Sequence, residues 1–252
     1  MSNVIVQSVL LIFIRVLSFL ALAPFFSQKG FPMMARIIVA AGITVGIYPF
    51  VSPISSAVSL FILGLLALKE TLLGLALGYL CQLVFYGIEI AGHIIDFQIG
   101  FSMAQAYDPE FQLLTSPFGR MYYWMATALM FVTNLHLVMI KGFIHSFSLV
   151  GLASGNMGGA SVDGVVHLVS LTIAMGFNLA MPLLLSALLI DIVTGVISRV
   201  IPQINVLILG LSIKSFVAFI LMIYLIPNIA SFLMKELPNI VNYMEPFLKS
   251  LN

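Results

Sequence analysis

The longest uncharged stretch of this sequence runs from residue 37 to residue 68 and contains no Asp, Glu, Lys or Arg. A helix crosses the hydrocarbon core of a bilayer with about 20 mostly apolar residues. Other apolar runs of this kind, each with at most one charged side chain, cover residues 4–26, 121–150, 164–190 and 204–234. These runs predict an all-α, polytopic integral membrane protein with about six long helices.

Composition excludes several other classes of protein. Of the 252 residues, 62% are hydrophobic and 8% are charged, whereas soluble domains carry about 25% charged residues. So few charges cannot cover the surface of an ordinary soluble domain. The net charge of +1 gives no basic field that would bind nucleic acid. Cys81 is the single cysteine, which excludes an intrachain disulfide and a cysteine-built metal site.

Gly, Pro and the rare charges mark the breaks between apolar runs. Residues 1–252 are expected to form a single domain, and the first segment is expected to be retained because Arg15 lies inside it. Pro182 is predicted to kink or split the helix that contains it. The predicted helices cover residues 4–26, 33–50, 56–80, 81–106, 119–150, 164–198 and 204–235.

One predicted helix carries a row of polar residues at alternating steps of four and three, which places them on one face. The row comprises Gln82, Tyr86, Glu89, His93, Asp96, Gly100 and Met103, and the opposite row comprises Val84, Ile88, Ala91 and Ile95. A carboxylate in acyl chains costs about 2.5 to 3.5 kcal/mol, so we expect the polar row to point inward. It would form either a buried network or an aqueous or proton path. A metal site is less favoured because the other histidines lack ligand spacing.

A second row consists of small residues: Gly64, Ala67, Thr71, Gly74, Gly78 and Cys81. Small residues allow the backbones of membrane helices to approach closely, so this row predicts a helix-packing face against partner subunits. The alternative is that glycine is simply frequent in membrane helices.

Several charges lie inside apolar runs, namely Arg15, Lys69, Glu70, Lys141, Asp191 and Lys214. We expect neighbouring chains to supply their partners. The sequence contains neither H-E-x-x-H nor G-x-S-x-G, so we predict no catalytic residue, no metal and no cofactor. A small-molecule secondary transporter is the main alternative, with Glu89, Asp96 or Asp191 as coupling sites and the Pro182 break as a discontinuous helix.

Four segments of the sequence have a recognisable pattern. In the first, Gly92-His-Ile-Ile-Asp96-Phe-Gln-Ile-Gly100-Phe101 is followed by Asp108-Pro109. The other three are Arg15 with Pro24-Phe25, Pro32 and Arg36, then Glu70 with Gly74 and Gly78, and Arg199-Val-Ile-Pro202-Gln203-Ile-Asn205 through Gly210 and Lys214. Together they resemble the flagellar biosynthetic protein FliR family, to which a subunit of the virulence type III secretion apparatus is homologous. The Pro202 to Asn205 stretch resembles the flagellar branch, whereas Ser212 stands where a proline is common and the 151–164 loop lacks the usual proline.

The resemblance implies a single-copy subunit of an export gate in the bacterial inner membrane, at the flagellar basal body. It also implies that the long helices are arranged as broken helical hairpins in a larger helical assembly. Implied partners are FliP-like, FliQ-like and FlhB-like subunits, membrane lipid and unfolded exported proteins. The resemblance also implies that the segment from about Gly100 to Arg120 plugs the closed channel. Its candidate residues are Gly100, Phe101, Met103, Tyr107, Asp108, Pro109 and Phe111. Flexible Met and bulky aromatic groups suit a seal that reshapes around cargo, although core packing is the alternative for Met103 and Phe111.

Overall fold

A computed structural model describes residues 2–28, 30–101, 116–153, 162–201, 206–236 and 238–239. The described residues form seven α-helices, a 3-10 turn at Tyr48–Phe50 and no β-strand. The helices are α1 (Ser2–Leu22), α2 (Met33–Ile47), α3 (Leu60–Ile99), α4 (Pro117–Val132), α5 (Leu135–Leu149), α6 (Val162–Val200) and α7 (Val206–Glu236). The predicted all-α class is therefore confirmed.

Five of these helices are long and apolar enough to cross a membrane: α1, α2 with its 3-10 turn, α3, α6 and α7. The helices α4 and α5 are apolar as well but shorter, and they meet at a bend of 77°. Counting that bent pair as one span gives six spans in the described part of the chain. The predicted membrane-type architecture is confirmed.

The first of two compact units contains the described residues within 1–84, 130–169 and 236–252. Its core is built on α1, where Leu11, Ile12, Val16 and Leu20 are fully buried. The ring of Phe19 on α1 stacks on that of Phe143 on α5, with centroids 4.2 Å apart. Because α1 is apolar on most sides, it can occupy the centre of this unit.

The second compact unit contains the described residues within 85–129 and 170–235. Here α3 and α6 cross at glycines: a Cβ at Gly87 would lie 2.8 Å from the backbone oxygen of Thr172, and a Cβ at Gly176 would lie 2.9 Å from that of Gly87. Because glycine has no side chain, the backbones of α3 and α6 can approach closely here. The expectation of one domain over residues 1–252 stays a prediction.

Two predicted boundaries are wrong. The break expected between residues 80 and 81 does not occur, because α3 continues through a segment without proline. The helix expected over residues 119–150 is divided at Asn134, which adopts a left-handed conformation with φ of 57°; Asn tolerates that region better than most residues. Pro182 does not split α6, since a membrane helix can re-satisfy the freed backbone groups locally.

Candidate functional site

The candidate site lies in the second unit, where the C-terminal end of α3 meets the start of α4. A Cβ on Gly92 would overlap the backbone of Gly119, so the two helices touch where neither has a side chain. The Asp96 carboxylate, 3% exposed, accepts a hydrogen bond from the backbone N–H of Phe118 at 3.5 Å. Ser116 Oγ accepts one from the N–H of Gly119 at 2.7 Å. Both oxygens therefore satisfy donors that the first turn of a helix leaves free.

Three aromatic rings join the two ends of segment 102–115 to α7. Ring centroids lie 6.3 Å apart for Phe101 and Phe118, 5.4 Å for Phe118 and Phe219, and 6.4 Å for Phe101 and Phe219. Gly100 ends α3 with a φ of +97°, a conformation that favours glycine. A Cβ at Gly100 would also overlap the side chain of Leu211 on α7. Residues on both sides of segment 102–115 are thus held against one helix.

A polar cluster ties the same end of α3 to α6 and α7. Lys214 Nζ lies 2.5 Å from Asp191 Oδ1 and donates a hydrogen bond to the backbone oxygen of Gln98 at 3.3 Å. The amide Nε2 of Gln98 donates to Asp191 Oδ2 at 3.1 Å. A cation at the last turn of a helix interacts favourably with its exposed carbonyl groups. The cluster therefore stabilises the end of α3 immediately before Gly100.

The structure describes some of the predicted plug residues and not others. Gly100 and Phe101 occupy the site just described, whereas the remaining members lie outside the described residues. Those members are Met103, Tyr107, Asp108, Pro109 and Phe111. The role of the whole set stays a prediction.

The polar row on α3 does not behave as one inward face. Gln82 and Asp96 are buried, Glu89 is half-buried, and Tyr86 and His93 are exposed. The row that is buried throughout is the apolar one, with Val84, Ile88, Ala91 and Ile95 at most 5% exposed. Within this chain the apolar side chains of α3 take the interior positions, and the role of the polar row stays a prediction.

The members of the small-residue row also differ in how closely other helices approach them. Gly74 and Gly78 pack on α1 so closely that a Cβ on either would clash with the backbone of α1. Gly64 has open space around it, and Thr71 Oγ1 donates to the backbone oxygen of Ala67 at 2.8 Å. The expectation of an interface with another subunit is wrong for Gly74 and Gly78. Small residues indicate close packing but do not identify the helix that packs there.

Sequence reasoning left the partner of Arg15 open, and the structure identifies it as Glu70, through an ion pair from Nε to Oε2. Both side chains are at most 1% exposed. Arg15 Nη1 also donates to the backbone oxygen of Val150 at 3.0 Å, and Glu70 Oε1 accepts from the N–H of Ala153 at 3.3 Å. The guanidinium lies 4.3 Å from the centre of the Phe147 ring. This cluster joins α1, α3 and the end of α5.

Among the described residues, no three His, Cys, Asp or Glu side chains are grouped as metal ligands. The chemistry of the site is accordingly packing, capping and charge pairing. A family model described as bacterial export proteins, family 1, matches residues 6–240. The chain belongs to this family.

The chain is similar to proteins named for flagellar biosynthesis and to proteins named for translocation of Yop proteins. The chain is 33% identical over 220 residues to the flagellar biosynthetic protein FliR of Bacillus subtilis (strain 168), covering 85% of this chain and 84% of the relative. It is 28% identical over 238 residues to FliR of Escherichia coli (strain K12), covering 94% and 91%. It is 32% identical over 168 residues to Yop proteins translocation protein T of Yersinia pestis, covering 66% and 64%.

Proposed function

We propose that this chain is a non-enzymatic subunit of the flagellar type III protein export gate in the bacterial inner membrane, at the flagellar basal body. The observation that carries the proposal is the family match over residues 6–240, together with the coverage of flagellar relatives. One copy assembles with FliP-like and FliQ-like subunits and with an FlhB-like subunit. Unfolded flagellar proteins leave the cytoplasm through the resulting channel.

Within that gate, residues 100–118 close the resting channel. Support comes from the base of the segment, where Phe101 and Phe118 share the ring of Phe219 and Asp96 caps α4. A closing segment must return to one position after each cargo has passed. Fixed ends meet that requirement, while the side chains between them supply the seal.

Deletion of residues 106–114 tests the gating role. Because the anchoring contacts of Phe101, Asp96 and Phe118 lie outside the deletion, we expect the complex to assemble in normal amounts. The membrane should then become permeable to ions and small solutes. Leakage is measured as solute entry into cells or as conductance of the purified complex in planar bilayers.

A second variant replaces residues 106–114 by a Gly-Ser linker of equal length, which keeps the connection and removes the closing side chains. Leakage in both variants, with the complex recovered intact, supports a seal made by side chains. A tight membrane in both variants would contradict the gating role and leave family membership untouched.

A virulence type III apparatus is the second candidate, favoured by the 32% identity with the Yop translocation protein of Yersinia pestis. Restoration of motility to a strain lacking its own FliR distinguishes the two branches. We expect restoration, because the flagellar relatives cover more of this chain than the Yop protein does. Mass spectrometry of the complex isolated from native membranes identifies the partner subunits.

A further inference from the structure

Within the second unit, α3 leaves one strip of its surface uncovered between two packed helices. Gly87 and Ile90 face α6, through Thr172 and Gly176. On the other side, Gly92 and Asp96 face α4, through Gly119 and Phe118. At 3.6 residues per turn, positions 89, 93 and 97 fall between these two contact lines. The strip therefore occupies one side of α3.

The side chains on this strip are unusual for a surface in contact with lipid. His93 is exposed, Glu89 is half-buried and Phe97 is 75% exposed, and all three belong to α3, which is apolar enough to cross a membrane. Tyr86, one turn before Glu89, is 39% exposed. Ionisable groups in membrane helices face protein or water because lipid cannot solvate their charge.

The carboxylate of Glu89 also lacks a full counter-charge in the described part of the chain. The two ion pairs found there join Arg15 to Glu70 and Lys214 to Asp191. His93, one turn further along α3, forms no ion pair with Glu89 in the described structure. The charge of Glu89 is complementary to that of a Lys or Arg on a neighbouring chain.

We propose that the strip of Glu89, His93 and Phe97 is the docking surface for a membrane-spanning helix of a different polypeptide, which carries a basic side chain opposite Glu89. The strip runs along one side of α3, where a single helix can lie against it. The negative charge selects a basic residue at its middle, and the exposed Phe97 ring provides an aromatic anchor of the kind that dominates interface energies. The proposal rests on the proposed function only in that the chain is part of a membrane complex.

Photo-crosslinking in the assembled complex tests this surface. A benzoylphenylalanine replaces His93 or Phe97, one position at a time, in the full-length chain in native membranes. The matched control replaces Phe85, a ring on α3 that is 0% exposed. We expect both strip positions to give adducts with one other membrane protein and the control to give none. Peptide mapping should place the adduct in an apolar helix of that protein with a Lys or Arg.

Adducts with lipid, with a second copy of this chain, or with an exported protein would each overturn the proposal, as would the absence of any adduct at both positions.

Glu89→Leu and Glu89→Gln give a second readout. On a lipid-facing surface, Glu89→Leu would leave or raise recovery of the complex, whereas on a docking surface it lowers recovery at least several-fold and Glu89→Gln lowers it less. Leakage after deletion of residues 106–114 is scored separately, so failure of the docking surface is distinguishable from failure of the gating role.

Discussion

At the scale of single residues, four of the six charges expected to need neighbouring chains form ion pairs inside this chain. Arg15 pairs with Glu70, 55 positions away, and Asp191 pairs with Lys214. The sequence predicts that these charges need partners but does not select the pairs, because several acids and bases lie in apolar runs and any combination satisfies charge balance. Only the packing of α1 against α3 selects Glu70 for Arg15.

Substitution of Arg15 by Met should destabilise the fold strongly. It leaves the buried Glu70 carboxylate with the N–H of Ala153 as its remaining described partner. Removing one member of a buried ion pair costs about 3 to 5 kcal/mol, so we expect the free energy of unfolding in detergent to fall by about that amount. Denaturant titration monitored by the intrinsic fluorescence of Trp124 measures the change.

The double variant Arg15→Met with Glu70→Gln separates loss of the pair from exposure of a lone charge. Gln keeps an acceptor for Ala153 and removes the charge, so the double variant should recover most of the lost stability. Lys141→Met, at an exposed position, is the control and should change stability by less than about 0.5 kcal/mol. Additive losses in the double variant would contradict a coupled buried pair.

At the scale of helices, the apolar spans were predictable because about 20 uncharged residues in a row have few other structural solutions. Helix ends were harder to predict. No Gly or Pro marks the bend at Asn134 in the sequence. The helix α3 continues through several glycines because packing against the surrounding protein stabilises it. The sequence identifies Gly100, Phe101 and Asp96 as candidate residues, whereas the contact of Phe219 on α7 with Phe101 and Phe118 depends on tertiary packing.

Gly74→Ala should loosen the contact of α3 with α1, and Gly64→Ala should not. A methyl group at position 74 would overlap the backbone oxygen of Arg15, which cannot move away alone, whereas position 64 has nothing within 4 Å. Overpacking of this kind costs about 1 to 3 kcal/mol, while alanine in an open helical position gains up to about 1 kcal/mol over glycine. Thermal unfolding of the two purified variants gives the comparison. Equal melting temperatures for Gly74→Ala and Gly64→Ala would contradict a close contact between α1 and α3 at position 74.

At the scale of the whole molecule, the length and the bend of α4 and α5 constrain how these two helices can be placed in a bilayer. With 16 and 15 residues, each is about 22 to 24 Å long, shorter than the hydrocarbon core of about 30 Å. Their 77° bend prevents them from forming one straight span. The exposed polar side chains of α5, Lys141, His145 and Ser148, follow one face of that helix, as in helices that lie at a membrane surface.

Cysteine labelling tests this placement of α5. In a Cys81→Ala background, Lys141→Cys and His145→Cys should react with a membrane-impermeant maleimide, because an interfacial helix keeps its polar face in water. Ser146→Cys is the matched control, since it is nearly isosteric and replaces a 0% exposed side chain on the same helix; it should react only after denaturation. If positions 141 and 145 were as unreactive as position 146 from both sides of the membrane, α5 would lie inside the hydrocarbon layer or beneath another subunit. Lys141 would then need a carboxylate partner from a neighbouring chain, as Glu89 needs a base.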